Sequence, residues 1–372
     1  MQQKIIHAQD GYAQLDEWTR ASVRKCLFLV CGGSIRKMKI DRDFEELPAR
    51  SGIRVVRFSA FGPNPSYDSV VEGVRAFAQS GADSMIAVGG GSAMDVAKCI
   101  KLYSNLDPEE CYLDQEIIPN DIRFLAVPTT AGTGSEATRY AVIYYQGEKQ
   151  SVTHESCIPD TVLMDAEALR TLPDHHRKAA MMDALCHAVE SFWSVNSTDE
   201  SRGFASEAIR LILGNMDRYL ANDDAGNANM LQAAHIAGKA INITQTTAGH
   251  AMCYKLTGLY GIAHGHAAAL CVSELWPWML EHMDRCADKR GQEYLERMFC
   301  DLAAVMGCRD PQAAAEKFSS LVRKLELAAP IVKEEDFAIL TRSVNPVRLK
   351  NNPVALDENA MDHLYRKMGR HR

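Results

Sequence analysis

Cys26-Leu27-Phe28-Leu29-Val30-Cys31 is an unbroken apolar run that stops at Gly32-Gly33-Ser34, the pattern of a buried strand entering a turn. Residues 53–58 alternate apolar and polar positions and predict a second strand. Pro63-Asn64-Pro65-Ser66 follows as a turn, and Ser66 can cap a helix over residues 67–79 that ends at Gly81. Ser84-Met85-Ile86-Ala87-Val88 runs into Gly89-Gly90-Gly91-Ser92, with a helix through Asp95, Val96, Lys98 and Ile100 beyond it. Phe124-Leu125-Ala126-Val127-Pro128 predicts a further strand. Strands and helices that alternate in this way predict a parallel sheet with helices on its faces. From about Asp165 the strand signals fade. Ala-, Leu- and Met-rich segments of helical period replace them, as at residues 201–219, 230–243, 292–306 and 311–327. The expected organisation is an α/β domain over residues 1–165 and an all-helical domain over 166–372, divided near Ala166.

Two turns in the first half carry candidate chemistry. Glycines at Gly89-Gly90-Gly91-Ser92 let backbone N–H groups approach a pyrophosphate, and the helix that follows adds a favourable dipole. The common dinucleotide fingerprint is absent, because Met94 stands where its third glycine would be. A second loop, Thr129-Thr130-Ala131-Gly132-Thr133-Gly134-Ser135-Glu136, also follows a strand, and its hydroxyls can bond cofactor oxygens. Two such loops at strand ends favour a ligand crevice over a pair of tight turns.

The second half holds a different signal. Asp183-Ala184-Leu185-Cys186-His187-Ala188-Val189-Glu190 lacks Gly and Pro and predicts helix, with Asp183 and His187 at i, i+4 on one face. That pair alone is more often a helix-stabilising contact than a metal site. His250 and His264 lie downstream in Gly-bearing, apolar surroundings. On one continuous helix they would stand about 21 Å apart, whereas ligands of one ion lie within roughly 4 Å of each other. A shared site therefore requires the chain to bend between them, and Gly258 and Gly261 supply the break. His175-His176 is expected in a loop, and His266 is expected to face away from the site.

Composition narrows the function classes. A formal net charge of -7, from 41 basic and 48 acidic residues, argues against nucleic acid as a partner. No apolar run reaches the length of a membrane span, and the first residues lack the apolar core of a signal peptide. Eleven cysteines without a C-x-x-C pair fit reduced thiols better than a disulfide framework, so a cytoplasmic location is expected.

The motifs Gly89 to Lys98, Pro128 to Glu136, Asp183 to Glu190, Gly249-His250, His264-Gly265 and Asn351-Asn352-Pro353, in that order and spacing, resemble the iron-containing (group III) alcohol dehydrogenase family. The resemblance implies a Rossmann-like N-terminal domain, an all-α C-terminal domain and an active site in the cleft between them. It implies Asp183, His187, His250 and His264 as ligands of Fe(II) or Zn(II), which their donor types do not separate. It also implies a nicotinamide cofactor, NADP or NAD, at Gly32, Gly33, Ser34, Gly89, Gly90, Gly91, Ser92, Asp95, Thr129, Thr130, Thr133 and Ser135, with Lys149 a further candidate contact. NAD-preferring members often carry an acidic residue near the place of Gly32. Here Gly32-Gly33-Ser34 with Arg36 and Lys37 close by predicts a preference for NADP.

Tyr254 stands where many members have another histidine, which leaves the proton route open. Lys255 and Arg139 are candidate contacts for an anionic substrate, with a structural ion pair or solvation as the alternative for each. The segment from Gly249 to Thr257, with His264-Gly265-His266, looks like the phosphonoacetaldehyde reductase branch, which makes 2-hydroxyethylphosphonate. Alternatives are a reductase of another short aldehyde (propanal, lactaldehyde or a semialdehyde) and a lyase of the dehydroquinate synthase type. The second fits less well, because that enzyme's usual metal set has Glu where this chain has Asp183. The resemblance also suggests a homodimer, and no membrane or nucleic-acid partner.

Overall fold

The computed structural model describes residues 3–8 and 11–369. The chain forms two compact units, Met1–Leu172 with Asn222–Leu231, and Pro173–Ala221 with Gln232–Arg372. The sequence reading puts the division near Ala166. The helical unit begins instead after Leu172, where Pro173 precedes the first long helix, and a short segment around residue 226 packs with the first unit.

The first unit is built on β1 (Lys4–His7), α1 (Ala13–Ser22), β2 (Cys26–Cys31), α2 (Lys39–Ser51), β3 (Arg54–Phe58), α3 (Tyr67–Ser80), β4 (Ser84–Gly89), α4 (Gly91–Tyr103), β5 (Arg123–Pro128), a β6–β7 hairpin (Tyr140–Tyr145 and Glu148–Thr153) and β8 (Thr161–Met164). Six strands form one parallel sheet in the order β1-β8-β5-β4-β2-β3. Successive side chains of a strand point to opposite faces, so both faces must be apolar if both are covered. Phe28, Val30, Met85, Ala87, Phe124 and Ala126 pack with α3 and α4 on one face. Leu27, Leu29, Ile86, Val88, Leu125 and Val127 pack with α1 and α2 on the other. Ser66 caps α3 by accepting from the Ser69 N–H, and Gly81 ends it at φ +65°.

From β2 the chain crosses to β3 on one side and then to β4 on the other. That reversal places the turns after β2 and β4 at the point where doubly wound sheets open a ligand crevice. The sheet contains strands that the sequence patterns did not mark, β1 and β8, because each is only four residues long.

The second unit contains α5 (Asp174–Trp193), α6 (Asp199–Leu220), most of α7 (Asp224–Thr244), α8 (Ala248–Tyr260), α9 (His264–Glu281), α10 (Gln292–Val305), α11 (Pro311–Lys324), α12 (Glu334–Arg342), α13 (Pro346–Leu349) and α14 (Glu358–Met368). Helix α5 is buried from Met181 to Trp193, and that stretch is apolar except at Asp183, His187, Glu190 and Ser191. It packs chiefly against α6 and α9, and α9 also lies along α8. His175 and His176 lie in the first turn of α5, not in a loop, because the helix starts directly after Pro173. No helix among the described residues is long and apolar enough to cross a membrane.

One buried cation ties the first unit's loops together. The Lys98 ammonium on α4 lies within 3.2 Å of five oxygens: the carbonyl and hydroxyl of Ser135, the carbonyl and hydroxyl of Thr138, and the carbonyl of Tyr140. Burial pulls its pKa down from the usual lysine value, against the opposing pull of Cys157, Asp95 and Glu136. Replacing the ammonium by a methyl group strands these carbonyls away from water. Lys98→Met is therefore expected to cost about 3 kcal/mol of unfolding free energy. Urea denaturation checks this, and a loss within about 0.5 kcal/mol, the range of an ordinary surface substitution, would contradict it.

Candidate functional site

In the first unit the two predicted loops lie side by side. The Thr129 N–H donates to the Gly89 carbonyl at 3.0 Å. A Cβ on Gly90 would meet Thr130 Cγ2 at 3.1 Å, and one on Gly91 would meet Thr133 Cγ2 at 3.1 Å. These glycines thus let the hydroxyl-bearing loop lie against the start of α4. Ser92 is half-buried in the first turn of that helix. Asp95, one turn further on, accepts from the Ser135 hydroxyl at 3.0 Å. Burial raises its pKa, while Lys98, Ser135, the Val142 N–H and Lys149 pull it down. Asp95 and Ser135 are therefore bonded to each other, and Lys149 on β7 acts on the same carboxylate.

Gly32 precedes a short 3-10 turn, Gly33–Lys37, in which Ser34, Arg36 and Lys37 are exposed. This turn borders a cleft of about 660 Å³ lined by Arg36, Lys37, Lys39, Arg42 and Arg57 together with Met38, Asp41 and Glu45. Five cations thus face two carboxylates, and one of those, Asp41, is paired with Arg57.

In the second unit Asp183, His187 and Glu190 stand at i, i+4 and i+7 on one face of α5. His250 lies in the first turn of α8 and His264 is the first residue of α9. Helix α8 runs through Gly258 and ends at Gly261, whose φ of +65° turns the chain toward α9. The expected bend is therefore made by Gly261, with Gly258 inside the helix.

The result is a converging set of donors. The Nε2 atoms of His250, His187 and His264 lie 3.4, 3.9 and 3.9 Å from Asp183 Oδ1. Ligands about 2.1 Å from a tetrahedral ion lie about 3.4 Å apart, so this set fits one divalent metal. Asp183, His187 and His250 meet that test as a compact trio, and His264 stands at its edge with 38% of its side chain exposed. Burial alone would raise the Asp183 pKa, but His187, His250 and His264 hold it well below the ordinary carboxylate range.

Glu190, which had no assigned role in the sequence reading, organises this set. It is fully buried and accepts from the Thr247 N–H at 3.1 Å, the Thr247 hydroxyl at 2.7 Å and the His250 N–H at 3.3 Å. Its other oxygen bonds His250 Nδ1, which leaves Nε2 directed toward Asp183. Burial pushes the Glu190 pKa up, and His250 and these donors more than reverse that. Burial pulls His250 down, and Glu190 and Asp183 push it up to about 9. Cys253 Sγ lies 3.6 Å from His264 Nδ1, so the outer nitrogen of that ring is occupied as well.

Close approach of the helices completes the geometry. A Cβ on Gly265 would meet Asp183 Cβ at 2.6 Å and would overlap the Ala179 carbonyl. The Asn351 amide donates to Gln245 Oε1 and to the Thr246 carbonyl, and Asn352 Oδ1 accepts from the Ala248 N–H, so this pair of asparagines holds the entry to α8. His266 turns away and bonds the Ala328 carbonyl.

Of the remaining candidates, Tyr254 stacks on His264 with centroids 5.6 Å apart, and its hydroxyl accepts from Arg348 at 3.0 Å. Lys255, the next residue, is exposed. Arg139 lies in the first unit, paired with Glu155 at 2.8 Å and set over the Tyr140 ring. The local sequence gave no sign of Arg348, because its contact depends on where α13 lies against α8.

A doubly wound unit with glycine- and threonine-rich loops at its strand ends, and a helical unit that gathers three imidazoles round a carboxylate, define a class: a metal-dependent dehydrogenase. The chain belongs to the iron-containing alcohol dehydrogenase family. It matches the model of iron-containing alcohol dehydrogenases over residues 2–166 and that of the Fe-containing alcohol dehydrogenase C-terminal region over residues 178–369. It is 31% identical to a phosphonoacetaldehyde reductase of Streptomyces viridochromogenes over 80% of this chain and 79% of that one. It is 30% identical to a sulfoacetaldehyde reductase of Bilophila wadsworthia over 72% and 71% of the two chains. An iron-containing alcohol dehydrogenase structure from Thermotoga maritima superposes with a TM-score of 0.83 at 26% identity, covering 99% of this chain and 98% of that one.

Glu190→Gln keeps the shape but weakens the hold on His250, and is expected to lower metal affinity about 10- to 100-fold. Gly265→Ala is expected to reduce it further by forcing α9 away from Asp183. Competition against a chromophoric chelator measures both, and wild-type affinity in either variant would contradict this arrangement.

Proposed function

We propose that the protein is a metal-dependent, NAD(P)-linked aldehyde reductase whose substrate is a short aldehyde, phosphonoacetaldehyde, reduced to 2-hydroxyethylphosphonate. The observation that carries the reading is the convergence of three imidazole Nε2 atoms within 3.9 Å of Asp183 Oδ1. In this reading Asp183, His187, His250 and His264 hold Fe(II) or Zn(II). The bound ion supplies Lewis acidity to a carbonyl oxygen, and the nicotinamide supplies the hydride.

The chain's own residues have separate tasks. Glu190 fixes the ring of His250 through its Nδ1. Tyr254 covers one face of His264, and burial keeps its phenol protonated against the pull of Arg348. Because Arg348 donates to the phenol oxygen, the hydroxyl keeps its own proton to give. The Gly89–Ser92 turn and the Thr129–Thr133 part of the second loop hold the cofactor's phosphates by backbone N–H groups and hydroxyls. Arg36, Lys37, Lys39 and Arg42 in the cleft beside Gly32–Ser34 favour the 2′-phosphate of NADP, and the pairing of Asp41 with Arg57 keeps that carboxylate from repelling it. The two relatives named for reduction of phosphonoacetaldehyde and sulfoacetaldehyde support an oxyanion on the substrate.

Oxidation of NADPH by the metal-loaded enzyme across an aldehyde panel tests the reading. Phosphonoacetaldehyde is expected to exceed propanal in kcat/KM by about tenfold or more, as one charge-assisted hydrogen bond supplies. Equal values would remove the phosphonate, and no turnover of any aldehyde would remove the reductase. NADPH is expected to bind about tenfold more tightly than NADH. Equal or tighter binding of NADH would overturn the NADP assignment.

A further inference from the structure

The proposed phosphonate needs a cation beside the metal, and neither candidate from the sequence supplies one. Arg139 is committed to Glu155. Lys255 follows Tyr254 on α8 and is exposed, whereas it is Tyr254 that packs on His264.

We infer that Arg348 is the specificity-determining residue that binds the anionic end of the substrate. The inference deepens the proposed function and rests on it for the position of the carbonyl end. Four observations carry it. His264 is the accessible side of the ligand set, at 38% exposure, against 7% for His187 and 1% for His250. A substrate therefore reaches the set past His264. The Tyr254 ring lies nearly parallel to His264, with 15° between the planes. The Arg348 guanidinium stands 5.2 Å from the Tyr254 ring centroid and gives one N–H to its hydroxyl at 3.0 Å. One tyrosine thus separates the guanidinium from His264.

The fourth observation is charge. Among the described residues no carboxylate pairs with Arg348, whereas Arg285 pairs with Asp357, and Arg366 with Glu334 and Asp362. A half-buried guanidinium held by one phenol keeps four N–H donors in a planar fork. That fork matches two oxygens of a tetrahedral phosphonate, and the bond to Tyr254 fixes its orientation. A neutral aldehyde gains nothing from the same contact, so Arg348 discriminates by charge.

The test separates this role from a structural one. Arg348→Gln is expected to raise KM for phosphonoacetaldehyde about tenfold or more, and to lower the ratio of kcat/KM for phosphonoacetaldehyde to that for propanal by a similar factor. Arg348→Lys, which keeps the charge and loses the fork, should recover part of the loss. Calorimetric binding of 2-hydroxyethylphosphonate to the metal-loaded enzyme supplies a readout that needs no turnover, and it should weaken by a similar factor in Arg348→Gln. Retained metal content shows that the variant folds. An equal loss for propanal would overturn the inference, since Arg348 would then act only through Tyr254 and His264. Unchanged binding of 2-hydroxyethylphosphonate in Arg348→Gln would also overturn it. Failure of the wild-type enzyme to reduce any aldehyde would overturn the proposed function instead, and the binding measurement would still decide the part played by Arg348.

Discussion

Two carboxylates buried on one helix constrain the whole second unit. Asp183 and Glu190 lie on α5 in a buried and mostly apolar stretch, and neither can remain charged there alone. Asp183 is stabilised by three imidazoles. Glu190 is stabilised by Thr247, the His250 N–H and the His250 ring. Apart from His187 on α5 itself, those partners come from the start of α8 and the start of α9, so satisfying the two charges fixes where both helices begin. The bend at Gly261 and the bare backbone at Gly265 make that arrangement sterically possible. Metal affinity and packing are thus two consequences of one electrostatic requirement.

The first unit shows the same economy with the sign reversed. A single ammonium, Lys98, is surrounded by the oxygens of the Thr-rich loop, and Asp95 on the same helix takes the Ser135 hydroxyl. The side chains of α4 thereby hold the second cofactor loop against the first. Asp95 and Ser135, which the sequence suggests as cofactor contacts, use their polar atoms on each other. Their effect on a nucleotide would then pass through the shape of the loop.

The parallel sheet was legible in the sequence because its central strands are buried on both faces and so are continuously apolar. The boundaries of β2 and α3 followed from glycine and serine signals that act locally. The four-residue strands β1 and β8 were not legible, since so short a run has no period to read. In the site, helical spacing put Asp183 and His187 on one face, but only the family resemblance pointed to them, with His250 and His264, as ligands. Glu190 had a readable signal, the i+7 position on the same face, but its partner lies on another helix. Arg348 had none, because α13 meets Tyr254 only through long-range packing. Lys255 illustrates the converse: a basic residue next to a site residue in sequence, turned to another face by the 3.6-residue period.

The account stands on four side chains sharing one ion, and X-ray absorption spectroscopy of the metal-loaded enzyme tests that most directly. It predicts one metal per chain with three imidazole nitrogens and one carboxylate oxygen at about 2.0–2.2 Å. A shell with fewer than three imidazoles, or with sulfur from Cys253 at about 2.3 Å, would contradict it.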